Sequence, residues 1–162
     1  MTQFHLTIRQ MPLGVLLLCL IFVIFVFDEF SNAQSKESEQ QITVVLKDFS
    51  VHPSSQKGKT GTLTLKAMNE GLSTHELVII RTDLDPTALP RKKVSPHQGM
   101  GMEFMVNEDD SGMKTIDEIE EFPAGTSQTK TVVLDPGHYV LFCNIPGHYD
   151  KGMYASLHIV KQ

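Results

Sequence analysis

From Ile42 onward the chain alternates side chains with the period of a β-strand. Ile42, Val44 and Leu46 alternate with Thr43, Val45 and Lys47, and Leu63, Leu65 and Ala67 alternate with Thr64 and Lys66. The signature recurs at 76–81, 130–134, 139–143 and 154–160, separated by turn formers such as Asn69-Glu70-Gly71 and Asp135-Pro136-Gly137. Short strands at this rhythm predict an all-β sandwich spanning 42–162 without internal repeats. The stretch 82–128 breaks the rhythm. It contains Pro86, Pro90, Pro96 and Pro123 and one helical candidate, in which Thr115 caps, Glu118 completes a capping box, and Met113, Ile116 and Ile119 share a side. This predicts a loop and short-helix insertion lying against the sandwich.

The candidate chemistry lies near the C-terminal end, in CNIPGHYDKGM from Cys143 to Met153. Tyr139, Leu141 and Cys143 fall on one face of a strand and Val140 and Phe142 on the other, so Cys143 ends that strand. Pro146 and Gly147 cannot continue a central strand, the chain bends there, and His148 lands on the bend. Gly152 allows a second reversal just before Met153 and the last strand. A second imidazole is offered by His75 in THELVII, where His75, Leu77 and Ile79 share a face. Singly these are weak signals, since free Cys and Met commonly fill cores and a lone His is usually on the surface. Together, one thiolate, two imidazoles and a thioether form the soft set that holds copper for electron transfer. Zinc would accept the Cys and both His, but a thioether in fourth place favours copper.

LDPGHYVLFCNIPGHYDKGMYASLHIV and THELVII together resemble the cupredoxins, small blue copper proteins, over about 42–162. The Cys-x4-His-x4-Met spacing is similar to that of rusticyanin-like and sulfocyanin-like members. The resemblance implies a cupredoxin-like Greek-key β-sandwich with one type 1 copper ion, the ligands His75, Cys143, His148 and Met153, and His148 as the exposed edge through which electrons pass. Glu76 departs from the pattern, because many blue copper proteins have Asn after the first His. The departure bears on the hydrogen bonding around the ligands and leaves ligation intact.

The first 33 residues read as a targeting segment, with Arg9, an apolar run from Met11 to Phe27, and small residues at Ser31 and Ala33 that suit cleavage before Gln34. The run is also long enough to consider an uncleaved N-terminal membrane anchor. Cys19 lies within it after Leu18 and reads as packing. Residues 34–41 form a polar, flexible lead-in. In either case the domain is exported to a periplasmic or other extracytoplasmic space. Cys143 is then its one cysteine, unable to pair within the domain, and a metal would occupy the exposed liability of a free thiol in an oxidising compartment.

The chain carries a net charge of −5, and −4 without Arg9, Asp28 and Glu29, which argues against nucleic acid as a partner. Acidic residues gather at Glu103, Glu108, Asp109, Asp110, Asp117, Glu118, Glu120 and Glu121, opposite a small basic block at 91–93. They read as a solvated face, with steering of a basic redox partner as the functional alternative.

The functional expectation is one-electron transfer with protein redox partners such as a cytochrome or a membrane oxidoreductase, with no substrate transformed. The alternative is an exported copper carrier or sensor that does not cycle its redox state. His97, Met100, Met102 and Met105 form a soft cluster that such a carrier would use for a second Cu(I), although packing or an apolar lid is the favoured reading, because Met commonly fills gaps. An oxidase or nitrite reductase is unsupported, because the chain has no His-x-His pair, and a dinuclear CuA centre would need two cysteines in the ligand loop. His52, His138 and His158 read as surface or structural.

Overall fold

The computed structural model describes residues 40–94 and 103–161. The expected targeting segment 1–33, the expected lead-in up to residue 39, and His97, Met100 and Met102 lie outside the described residues. In chain order the strands are β1 (Gln40–Lys47), β2 (Ser50–Pro53), β3 (Lys57–Lys59), β4 (Gly61–Asn69), β5 (His75–Thr82), β6 (Arg91–Val94), β7 (Glu103–Val106), β8 (Met113–Phe122), β9 (Ser127–Leu134), β10 (Gly137–Phe142) and β11 (Tyr154–Val160). One sheet runs β2-β1-β4-β9 and a second β3-β11-β10-β5-β8, while β6 and β7 form a separate hairpin. Both large sheets are mixed: β1 lies parallel to β4 and β3 parallel to β11, and the other pairs are antiparallel.

The alternation read from the sequence sets the core. Ile42, Val44, Leu46, Leu63, Leu65 and Ala67 point from the first sheet into a shared interior with Leu77, Ile79, Tyr139, Leu141, Leu157 and Ile159 of the second. A β-sandwich packs in this way because successive side chains leave a strand on opposite faces.

The second sheet is also covered on its outer face. Val78 and Ile80 of β5 and Val140 and Phe142 of β10 pack with Leu89, Val106 and Tyr149 in a second apolar cluster. Central strands buried on both faces read as unbroken apolar runs, which accounts for Leu77-Val78-Ile79-Ile80 and for Val140-Leu141-Phe142. The cover comes from the stretch between β5 and β8. It is fastened by the buried Tyr149, whose hydroxyl donates to the Pro86 carbonyl at 2.7 Å and accepts from the Leu89 N–H at 2.9 Å.

Two expectations are corrected. Residues 113–122 are strand β8, paired antiparallel along β5, and not a short helix. His75 faces Phe122 and Leu77 faces Ile119, and likewise Ile79 faces Asp117 and Ile80 faces Thr115, so β8 carries one extra residue at each of two irregularities. Each extra residue lengthens the spacing between inward positions from two to three. Ile116, Ile119 and Phe122, which pack toward the shared interior, consequently stand three apart, and Met113, three residues earlier but packed against the outer cluster, completes a spacing that imitates one side of a helix. The second correction follows: the break in the sandwich spans 83–112 and contains the β6–β7 hairpin, and β1 begins at Gln40, inside the expected lead-in.

Replacing Tyr149 by Phe removes both bonds of a buried hydroxyl and is predicted to destabilise the protein by about 1–3 kcal/mol. Val133→Thr, at a position 74 % exposed on β9, should change stability by less than about 0.5 kcal/mol. Urea unfolding of both variants checks the pair, and a Tyr149→Phe midpoint equal to wild type would show that the phenol does not fasten the 83–112 cover.

Candidate metal centre

Strand pairing brings the donors together. β10 runs antiparallel to β5, with Leu141 opposite Ile79 and Phe142 opposite Val78, so the end of β10 lies beside the start of β5. Cys143, the residue after β10, therefore arrives next to His75, the first residue of β5. The loop that follows is held by its own backbone. The Cys143 N–H donates to the Met153 carbonyl at 3.1 Å, the His148 N–H to Ile145 at 2.9 Å, and the Met153 N–H to His148 at 3.3 Å. Gly147 has φ 78°, a left-handed conformation that residues with a side chain rarely adopt, and it turns the chain so that His148 faces back toward the sheet. A single 3-10 turn, Tyr149–Lys151, leads to the reversal at Gly152.

His75, Cys143 and His148 thus form one cluster able to hold a metal ion, their donor atoms all within 4.8 Å of one another. The two Nδ1 atoms are 3.3 Å apart and Cys143 Sγ lies 3.4 Å from His148 Nδ1. Two nitrogens bound to one ion at about 2.0–2.1 Å each need this kind of separation. His75 and Cys143 are fully buried and His148 is half-buried.

Burial sets the charge states. It pushes the Cys143 thiol up to about 12, against the Glu76 and Ile145 backbone N–H groups that favour the thiolate. It also lowers His148 to about 4, helped by the neighbouring His75 and Lys151. His75 is lowered by burial and partly restored by Asp48. At neutral pH the centre therefore offers two neutral imidazoles and a thiol that a cation must deprotonate, and these fit a soft metal ion.

Met153 is completely buried, belongs to the same core cluster as Cys143 and is joined to it through the backbone. His138 and His158 sit at the other end of β10, where His138 bonds the Thr82 carbonyl and Ser156 and the two rings stack at 4.8 Å. His52 is exposed and bonds Ser50. Met105 lies on β7 opposite Lys92.

Three surrounding residues had no motif to mark them. Asn144, next to Cys143, is buried and ties the ligand loop to β7: its Oδ1 accepts from the Val106 N–H at 2.7 Å, and its Nδ2 donates to the Val106 carbonyl at 3.2 Å and to Glu108 at 2.7 Å. Gly147 adds an N–H bond to the Phe104 carbonyl at 3.0 Å. Phe49 sets its ring edge-on to both imidazoles, 6.5 Å from His75 and 5.0 Å from His148, with Lys151 Nζ 4.3 Å from its centroid. Asp48 brings Oδ1 to 2.8 Å from His75 Nε2. Glu76, the departure noted in the sequence, spans the two ligand-bearing segments by accepting the Asn144 backbone N–H. Burial, reinforced by Glu121, Glu118 and Glu108, raises its carboxyl to about 7.

No protein-family model matches the chain, and no curated protein matches it. Among solved structures it is similar to dithionite-reduced auracyanin from the photosynthetic bacterium Roseiflexus castenholzii, with a TM-score of 0.52 and 19 % identity over 75 % of this chain and 98 % of that one. It is also similar to rusticyanin from Thiobacillus ferrooxidans, with a TM-score of 0.50 and 16 % identity over 76 % of this chain and 79 % of that one. The architecture is that of a cupredoxin-like Greek-key sandwich. With that architecture, the chain brings His75, Cys143 and the half-buried His148 together at the junction of β5, β10 and the loop leading to β11.

At pH 8 the Glu76 carboxyl is already mostly ionised, both imidazoles are neutral and Cys143 still holds its proton. Uptake of one metal ion should therefore release one proton, as measured by calorimetry in buffers of different ionisation enthalpy. Release of none would mean that the Cys143 thiolate is not a ligand.

Proposed function

We propose that this protein is an exported type 1 copper protein that carries single electrons between redox partners. His75, Cys143 and His148 are its strong ligands, and Met153 is a weak axial ligand that tunes the potential. The observation that most supports this reading is the convergence of one thiol and two neutral imidazoles in a desolvated pocket of a cupredoxin sandwich. Copper bound there would take up and give back one electron.

The chain's own part is to hold the donors still. His75 and Cys143 lie at the ends of paired strands, and the ligand loop is fastened on one side by Met153 and on the other by Asn144, Gly147 and Tyr149. A rigid donor set changes little between two oxidation states, which favours electron transfer over release of the ion. His148 is the half-buried member of the set and follows the partly exposed, uncharged Ile145, Pro146 and Gly147 in the loop, which makes it the edge for electron passage. Partners of the class of a cytochrome or membrane oxidoreductase fit this role. The N-terminal apolar run supports a location outside the cytoplasm for the domain, cleaved or tethered to the membrane.

Adding Cu(II) is predicted to produce an intense thiolate-to-copper charge-transfer band that Cys143→Ser abolishes, followed by visible and EPR spectroscopy. A colourless protein holding only loosely bound or reduced copper would favour a carrier role instead. Met153→Gln should lower the reduction potential in voltammetry, and an unchanged potential would remove Met153 from the coordination sphere.

A further inference from the structure

Asp48 opens the β1–β2 turn, far in sequence from every ligand, yet its Oδ1 is 2.8 Å from Nε2 of His75. The His75 side chain is fully buried and that of Asp48 is 21 % exposed at the rim. The carboxylate lies off the line of the ring N–H, so Nε2 has no aligned hydrogen bond and the contact is chiefly electrostatic.

Three features show that this contact is built by the fold. First, the Asp48 carboxylate is held from the far side: Oδ2 accepts the Leu72 N–H at 2.6 Å, and the backbone and hydroxyl of Ser73 also donate to the group. Secondly, the loop carrying Leu72 and Ser73 is itself fixed by the buried Asn69, which accepts from the Gly71 N–H at 3.0 Å and donates to the Ser73 and Phe122 carbonyls at 2.9 and 3.1 Å. Thirdly, Gly71 closes over the pair. A Cβ at that position would lie 2.7 Å from His75 Nε2 and 2.9 Å from Asp48 Oδ1, closer than packed atoms tolerate, so the absence of a side chain is what lets imidazole and carboxylate meet.

An ionised carboxylate only accepts hydrogen bonds, and a nitrogen lone pair 2.8 Å from it would be repelled. The proton of a neutral His75 therefore belongs on Nε2, which leaves the Nδ1 lone pair directed at Cys143 and His148. Carboxylates placed behind a ligating imidazole fix its tautomer and raise its basicity.

Building on the copper reading above, we propose that Asp48 is a positioning residue of the metal centre. It holds His75 as the Nε2–H tautomer with Nδ1 free for the ion, and its negative charge favours the more highly charged Cu(II) over Cu(I). Asn69 and Gly71 serve this arrangement, one by shaping the loop that holds the carboxylate and the other by leaving room for the contact.

Two measurements test the proposal. In metal-free wild-type protein, 15N chemical shifts of the imidazoles should show His75 protonated at Nε2 and bare at Nδ1. The opposite tautomer would overturn the proposal, and this readout requires no copper and no variant. In the copper-loaded protein, Asp48→Asn should keep the thiolate-to-copper band, raise the reduction potential and weaken Cu(II) binding about 10- to 100-fold, with a smaller effect on Cu(I). Asp48→Glu should recover part of the shift, and Gly71→Ala, which wedges the pair apart, should move the potential in the same direction as Asp48→Asn. An Asp48→Asn protein with wild-type potential and Cu(II) affinity would overturn the proposal. A wild-type protein that binds copper without a thiolate band would instead contradict the electron-carrier reading, and the His75 tautomer would then decide the role of Asp48.

Discussion

Three polar donors, a thiol and two imidazoles, converge in an interior where they have chiefly one another for partners. Burying polar groups with incomplete hydrogen bonding opposes folding, and here burial drives both imidazoles neutral and keeps the thiol protonated. Each neighbouring element offsets that cost or fixes the geometry. The β5–β10 pairing sets His75 beside Cys143, the turn at Gly147 returns His148, and the Asp48 carboxylate stands behind His75. The fold itself thus sets the three donors side by side.

The 83–112 cover gains its meaning from the same constraint. It shields the outer face of β5 and β10 through Leu89 and Val106, and it also grips the ligand loop at Asn144, Gly147 and Tyr149. The strands that carry His75 and Cys143 are thus buried on both faces. The loop between Cys143 and Met153, which elsewhere on a surface would fluctuate, is tied to the body of the domain from two sides. Core packing and the geometry of the donor cluster here depend on the same contacts.

The ligand-bearing part of the molecule was legible in the sequence because its signals are local. Alternation gave β1, β4, β5, β10 and β11, and Pro146-Gly147 marked the bend that carries His148. β8 was misread for a definable reason: its two extra residues convert a strand period into spacings of three, and Thr115 and Glu118 happen to stand where a helix would be capped. The short strands β2, β3, β6 and β7 have too few residues to show a period. Asp48, Phe49 and Asn144 were invisible for a different reason, since each acts across the fold on residues distant in sequence or on loops whose course only the structure gives. Gly71 read as an ordinary turn former, and its closeness to His75 and Asp48 emerges only in three dimensions.

The claim that the centre is assembled by the fold is tested most directly by crystal structures of the protein with and without copper. The account predicts copper at one position, bonded to Cys143 Sγ and to Nδ1 of both His75 and His148, with the imidazoles and the Cys143–Met153 loop in the same places in both structures. Copper bound through the other ring nitrogens, or a ligand loop that rearranges when the ion enters, would contradict it.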